Sequence, residues 1–166
     1  MPYTFEILDK LRFYKLDLPY IKKITQAGGN LSIELKEKIY NYSKLNNIEF
    51  YIMYGQTEAS PRISFVDPEK LPEKIKSIGK AIPGGNLYII DKDDELINEP
   101  NITGEIVYEG ENVSMGYAFS YEDIRNPVKN KNTILRTGDL GWMDIDGYFF
   151  INGRKNRYHK VFGNRI

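Results

Sequence analysis

Residues 21–53 alternate strand and helix in an order that admits few folds. Ile21-Lys22-Lys23-Ile24-Thr25-Gln26 reads as a short strand ending at Gly28-Gly29. Ser32 is placed to cap a helix, and the apolar positions behind it, Leu35, Ile39, Tyr42 and Leu45, fall 4, 3 and 3 apart. Asn46-Asn47 ends that helix, and Phe50-Tyr51-Ile52-Met53 reads as a buried strand. Two strands joined by a crossover helix lie parallel, which is an α/β arrangement. Another helix is expected over residues 3–15, carried by Phe5, Leu8, Leu11 and Tyr14.

The pattern changes after about residue 60. Pro61, Pro68, Pro72 and Pro83 punctuate a long connection. Short strands separated by turns follow at Leu87–Asp91, Gly104–Glu109, Leu135–Gly138, Tyr148–Asn152 and Tyr158–Phe162. Asp144-Ile145-Asp146-Gly147 is a hairpin signal between two of them. The expected fold is therefore a partial α/β sheet subdomain followed by a small, distorted β-barrel lobe. The expected divisions are 1–66 for the α/β part, 67–85 for the connection, 86–152 for the barrel-like lobe and 153–166 beyond it.

Composition narrows the function. Lysine plus arginine equals aspartate plus glutamate, 23 each, so no overall charge draws the chain to nucleic acid or an anionic membrane. Cysteine is absent, which excludes disulfides, thiolate nucleophiles and thiolate zinc sites. No apolar run reaches the length of a membrane span, and no signal-peptide core opens the chain. A cytoplasmic protein is the expectation. The single histidine, His159, has no second histidine to share a metal, so a surface or structural role is expected. The 13 tyrosines suit half-covered strand faces.

Four polar segments sit in glycine-bearing loops. Tyr54-Gly55-Gln56-Thr57-Glu58-Ala59-Ser60 follows the second strand. Gly55 lets backbone approach a ligand, Thr57 can donate to a phosphate oxygen and Glu58 is a hard ligand for Mg2+. Taken alone, the heptad reads equally as a polar turn. Gln26-Ala27-Gly28-Gly29-Asn30 lies at a strand C-terminus, where open α/β sheets bind ligands. By itself it is a plain turn before a helix. In Arg136-Thr137-Gly138-Asp139-Leu140-Gly141, the two oxygens of Asp139 can receive a ribose diol, or simply close a strand-end turn. In Gly153-Arg154-Lys155-Asn156-Arg157, the planar fork of Arg154 can reach ribose or phosphate, or the segment is a solvated basic turn.

The four segments in this order resemble the adenylate-forming superfamily of acyl-CoA synthetases, adenylation domains of nonribosomal peptide synthetases, and luciferases. Tyr54 to Ser60 is similar to its Y-G-x-T-E motif. Gly104-Glu105-Ile106 with Gly116-Tyr117 is similar to G-E-[LI] … G-Y, and Arg136 to Tyr148 to R-T-G-D-L-x-x-x-D-x-D-G-Y. Gly153-Arg154, Lys160 and Gly163-x-Arg165-Ile166 are similar to the hinge motif that follows. The resemblance implies a ligase that activates a carboxylic or amino acid with ATP as acyl-AMP, then passes it to a thiol or amine. Coenzyme A or a phosphopantetheine carrier is the implied acceptor. It implies that Thr57 meets the α-phosphate and Glu58 holds Mg2+, the two catalytic assignments. It implies an adenine pocket of Tyr54, Gly55, Gly28, Gly29 and Asn30, with Asp139 and Arg154 on the ribose.

Two departures bear on activity. The family's phosphate loop with its lysine is expected before Met1, and the small domain with a second lysine after Ile166. The chain is thus expected to be the second half of a large domain, inactive alone. Asn156 stands at the hinge position where the family most often has aspartate, keeping polarity but losing charge. A non-catalytic module that binds AMP-like ligands or a partner protein is the alternative.

Overall fold

The computed structural model describes residues 1–126 and 132–155, with the backbone of 160–161 and 164–165. In chain order the helices are α1 (Pro2–Lys10), α2 (Ile33–Leu45), α3 (Leu71–Lys74) and α4 (Tyr121–Arg125). The strands are β1 (Lys23–Gln26), β2 (Glu49–Tyr54), β3 (Ser64–Val66), β4 (Lys80–Ala81), β5 (Gly85–Ile90) and β6 (Leu96–Ile97). They continue with β7 (Gly104–Gly110), β8 (Ile134–Met143), β9 (Phe149–Arg154), β10 (Lys160–Val161) and β11 (Asn164–Arg165). No described helix is long and apolar enough to cross a membrane.

The first sheet has the order β1-β2-β3-β4. β1 and β2 are parallel, with Ile24 opposite Phe50, and α2 is their crossover. The Ser32 hydroxyl accepts from the Leu35 amide at 3.3 Å, so the predicted cap forms. Leu35, Ile39, Phe50, Ile52 and Val66 meet in one core with Phe5 and Leu71. Leu45 is exposed instead. At about 100° per residue it lies roughly 80° off the direction of Leu35, on the side away from Lys36 and Ser43. Ile48 is buried in its place, its amide bonded to the Ser43 carbonyl at 2.8 Å.

The first helix is shorter than its periodicity suggests. It stops at Lys10, and Arg12 turns left-handed at φ 55° before a single 3-10 turn over Phe13–Lys15. That turn sets the Phe13 and Tyr14 rings 5.1 and 5.7 Å from Tyr42, while Leu11 is left in solvent. The proline-rich connection also holds β3 and β4, which extend the first sheet antiparallel beyond β2.

The second sheet has the order β6-β5-β7-β8-β9, antiparallel throughout. Its core is Ala59, Ile63, Leu87, Ile89, Ile106, Tyr108, Val113 and Phe149. The expected barrel does not close: β6 and β9 are both edges. The β9 edge turns to the first sheet, where Phe149 and Gly79 form an isolated antiparallel bridge. The Gly79 carbonyl accepts from the Phe149 amide at 3.0 Å, and the Phe149 carbonyl accepts from Ile78 at 2.9 Å. Consecutive residues then serve different cores, Tyr148 the first and Phe149 the second. Lys74 reinforces this seam by bonding Asp144 at 2.8 Å and Asp146 at 2.6 Å in the predicted β8–β9 hairpin. Of the strand expected over Tyr158–Phe162, Lys160–Val161 are described as β10, while His159 and Asn156 lie outside the described residues.

Candidate functional site

A cleft of about 500 Å3 opens where the two sheets meet. Gly28, Gly29 and Asn30, after β1, form one wall with Tyr54 and Gly55 at the end of β2. Asp139, Gly153 and Arg154 come from β8 and β9. Seven of the candidate site residues, all of these but Gly153, therefore meet in one place. Thr57 and Glu58 stand just beyond it in a 3-10 turn, Thr57–Ala59, and do not line the cleft.

A bulge aims Asp139. Val107 pairs with Arg136 and Glu105 with Leu140, so a two-residue step on β7 faces a four-residue step on β8. The surplus falls on Thr137–Asp139, with Gly138 at φ 69°, a left-handed conformation that suits glycine. Thr137 fills the break: its hydroxyl donates to the Ile106 carbonyl at 2.6 Å and accepts from the Asp139 amide at 3.1 Å. Arg136, before the bulge, turns elsewhere, to Asp94 at 2.8 Å and Glu105 at 2.5 Å.

Asp139 is only 4% exposed, and among the described residues its carboxylate receives three donors. Arg154 lies directly opposite across the β8–β9 ladder and donates Nε to Oδ1 at 2.5 Å. Oδ2 accepts from the Tyr54 hydroxyl at 2.5 Å and Gln56 Nε2 at 3.1 Å. Burial, and then the nearby Asp139 charge, push the Tyr54 pKa far above its ordinary value, so the hydroxyl remains a neutral donor. The hydrogen bond to Asp139 raises the Arg154 pKa, fixing its charge.

Gln56 is a residue that sequence reasoning passed over, since it fills a variable place in the motif. Its amide also donates to the Thr137 carbonyl at 2.8 Å and the Tyr54 hydroxyl at 3.2 Å, tying the end of β2 to the bulge. Gln26, 2% exposed, holds the glycine turn by donating to the Gly29 carbonyl at 2.7 Å. Gly55 lines the cleft and has a reason beyond the expected one. A Cβ there would lie 1.7 Å from the Pro61 carbonyl oxygen, so glycine is required by the loop's own folding.

The Thr57–Ala59 turn is held from the second sheet. Asn112 donates to the Ala59 carbonyl at 2.5 Å and the Arg62 carbonyl at 2.8 Å, while the Tyr108 hydroxyl donates to its oxygen at 2.7 Å. The Ser114 amide reaches the Glu58 carbonyl at 2.8 Å, and the Tyr117 hydroxyl donates to the Glu58 carboxylate at 2.6 Å. Replacing Asn112 by alanine strips a donor pair from two carbonyls. Asn112→Ala is expected to destabilise the chain by about 1–3 kcal/mol, measured by urea unfolding. A change within experimental error would show that the turn is held by other contacts.

The profile described as AMP-binding enzyme matches residues 2–118. This chain belongs to the AMP-binding enzyme family. Within it, the chain is 31% identical over 153 residues to luciferin 4-monooxygenase of Photuris pensylvanica, covering 92% of this chain and 27% of that protein. It is 35% identical over 130 residues to 2-succinylbenzoate–CoA ligase of Oceanobacillus iheyensis, covering 78% and 25%. The o-succinylbenzoate coenzyme A synthetase of Bacillus subtilis, solved in complex with ATP and magnesium ion, superposes with a TM-score of 0.70 at 28% identity. That match covers 97% of this chain and 32% of the synthetase. The chain thus spans about a quarter to a third of the length of these family members.

Proposed function

We propose that this chain carries the base and ribose side of the ATP site of an acid ligase that forms acyl-AMP and releases pyrophosphate. The acyl group then passes to a thiol or amine, with coenzyme A or a phosphopantetheine carrier as acceptor. The observation that supports this most is the convergence of Asp139 and Arg154 with Tyr54 and the Gly28–Asn30 turn in one cleft. In this reading residues 1–66 supply the wall for the base, and 86–152 supply the ribose carboxylate.

The chemistry of these donors and acceptors fits a nucleotide. Asp139 is acceptor-only and takes the 2′ and 3′ hydroxyls, while Arg154 holds the carboxylate in place. Tyr54 and the glycine backbone offer flat surface to the base. Thr57 hydrogen-bonds the α-phosphate. Glu58 is a single carboxylate, with no cluster of three or more acidic or histidine side chains among the described residues. Mg2+ is often held by one carboxylate and the substrate's phosphates, so Glu58 suffices as the protein ligand. Bound there, the ion would offset charge developing on the phosphates.

Calorimetry with AMP and with 2′,3′-dideoxy-AMP tests the assignment. AMP is expected to bind at least five-fold more tightly, roughly 1 kcal/mol for the diol. Equal affinity for the two, or no binding of AMP at all, would sink this reading.

A further inference from the structure

Among the described residues, Lys36 is a cation without an anion. It is 5% exposed, on the buried arc of α2 between Leu35 and Ile39. Among the described residues its Nζ reaches only neutral acceptors, the Asn30 side-chain oxygen at 3.5 Å and the Ile75 carbonyl at 3.4 Å. Both bonds are at the long limit for such donors. Burial lowers its pKa, and no carboxylate among the described residues counters that. Lysine is almost never fully buried unless paired, because its charge loses the water that solvates it. The same side chain lines the cleft, and its partner Asn30 belongs to the turn that forms the cleft wall.

We propose that Lys36 is a ligand-selecting donor of this cleft, hydrogen-bonding an acceptor group on the molecule that occupies it. The ammonium has three donors and no acceptor, so it selects for a lone pair or a negative charge. Given the nucleotide reading, a purine ring nitrogen lying against Asn30 is one source of that group. The other is a carboxylate at the far end of a dicarboxylic acid substrate.

Lys36→Met keeps the length of the side chain and removes every donor, and Lys36→Gln keeps a neutral donor. Melting curves establish that the variants fold. Lys36→Met is expected to melt no lower than the parent, because it removes a buried unpaired charge. If it fails to fold, Lys36→Gln carries the comparison. Binding of AMP, 1-deaza-AMP and 7-deaza-AMP is measured by calorimetry. Glutarate and pentanoate, each added with AMP, are compared by their shift of the melting temperature.

If the base supplies the acceptor, Lys36→Met binds AMP at least five-fold more weakly. One deaza analogue then binds the parent as weakly as AMP binds the variant, and Lys36→Gln recovers part of the loss. If the acid supplies it, AMP affinity is unchanged but the parent's preference for glutarate over pentanoate disappears in Lys36→Met. Wild-type behaviour of Lys36→Met toward all five compounds overturns the proposal. Failure of the nucleotide reading looks different: AMP does not bind the parent, or binds it unaffected by Asp139→Ala. The two acids, tested without AMP, then decide the role of Lys36 alone.

Discussion

Asp139→Ala is expected to lower stability by about 3 kcal/mol or more and to abolish the preference for AMP over its dideoxy analogue. The two effects share one cause. Removing the carboxylate leaves Arg154, three-quarters buried, with its guanidinium unpaired, and leaves the Tyr54 hydroxyl and Gln56 amide facing one another. Breaking a buried pair from one side is far more damaging than the net worth of the pair, because the surviving charge stays desolvated. Asp139→Asn is the sharper control. It preserves volume but puts an amide among donors, so it should recover little of the stability. Urea unfolding of both variants gives the first quantity, and calorimetry with the two nucleotides gives the second. A stable Asp139→Ala chain would mean that Arg154 relaxes into solvent. A preserved nucleotide preference would mean that the diol is read elsewhere.

Gly79→Ala is expected to be at least as damaging, on the order of 3 kcal/mol or more. Gly79 has φ 91°, where a side chain is strained. A Cβ would also stand 1.8 Å from the Phe65 carbonyl oxygen, which is backbone and cannot swing aside. The neighbouring bonds must move with it. The Ser77 hydroxyl donates to the Phe149 carbonyl at 2.7 Å and accepts from the Gly79 amide at 2.8 Å. Displacing residue 79 therefore pulls apart the seam between the sheets. Circular dichroism melting of Gly79→Ala beside Gly84→Ala separates the two causes. Gly84 also has positive φ, at 82°, but a Cβ there meets nothing within 4 Å. Gly84→Ala should show the conformational cost alone. Equal losses would mean that the collision at residue 79 is relieved by small shifts.

The parts legible in the sequence were those with a local signal. The β1–α2–β2 unit followed from apolar spacing and the Ser32 cap, and its strands pair parallel as expected. The hairpin at Asp144–Gly147 followed from turn chemistry. What escaped was set by distant pairing. β3 and β4 have three and two residues, too few to show a period, and they exist because β2 offers an edge. The barrel expectation failed for a related reason: alternation fixes which face of a strand is buried but not which neighbour its edge will find, and β9 found Gly79.

The site was legible in a similarly uneven way. Asp139 and Arg154 could be singled out separately, but that they are cross-strand partners depends on the hairpin register and on a bulge beside it. Gln56 gave no signal, because a glutamine after a strand is ordinary until its three acceptors are known. Lys36 was hidden by the helical pattern itself. A lysine among apolar spacings reads as the solvent face, whereas the buried arc of α2 is wide enough to include it.

The three donors already on Asp139 have a consequence for how the cleft would discriminate. A ribose arriving there finds one place left on Oδ1, beside Arg154, and must displace the Tyr54 hydroxyl or the Gln56 amide from Oδ2 to seat its second hydroxyl. The carboxylate then gains about one hydrogen bond on binding rather than two, so the diol adds less to binding strength than its two contacts suggest. Geometry decides instead. Only a pair of hydroxyls that matches those two places in position makes the trade favourable; a sugar lacking them leaves Tyr54 and Gln56 where they are and gains nothing at the carboxylate.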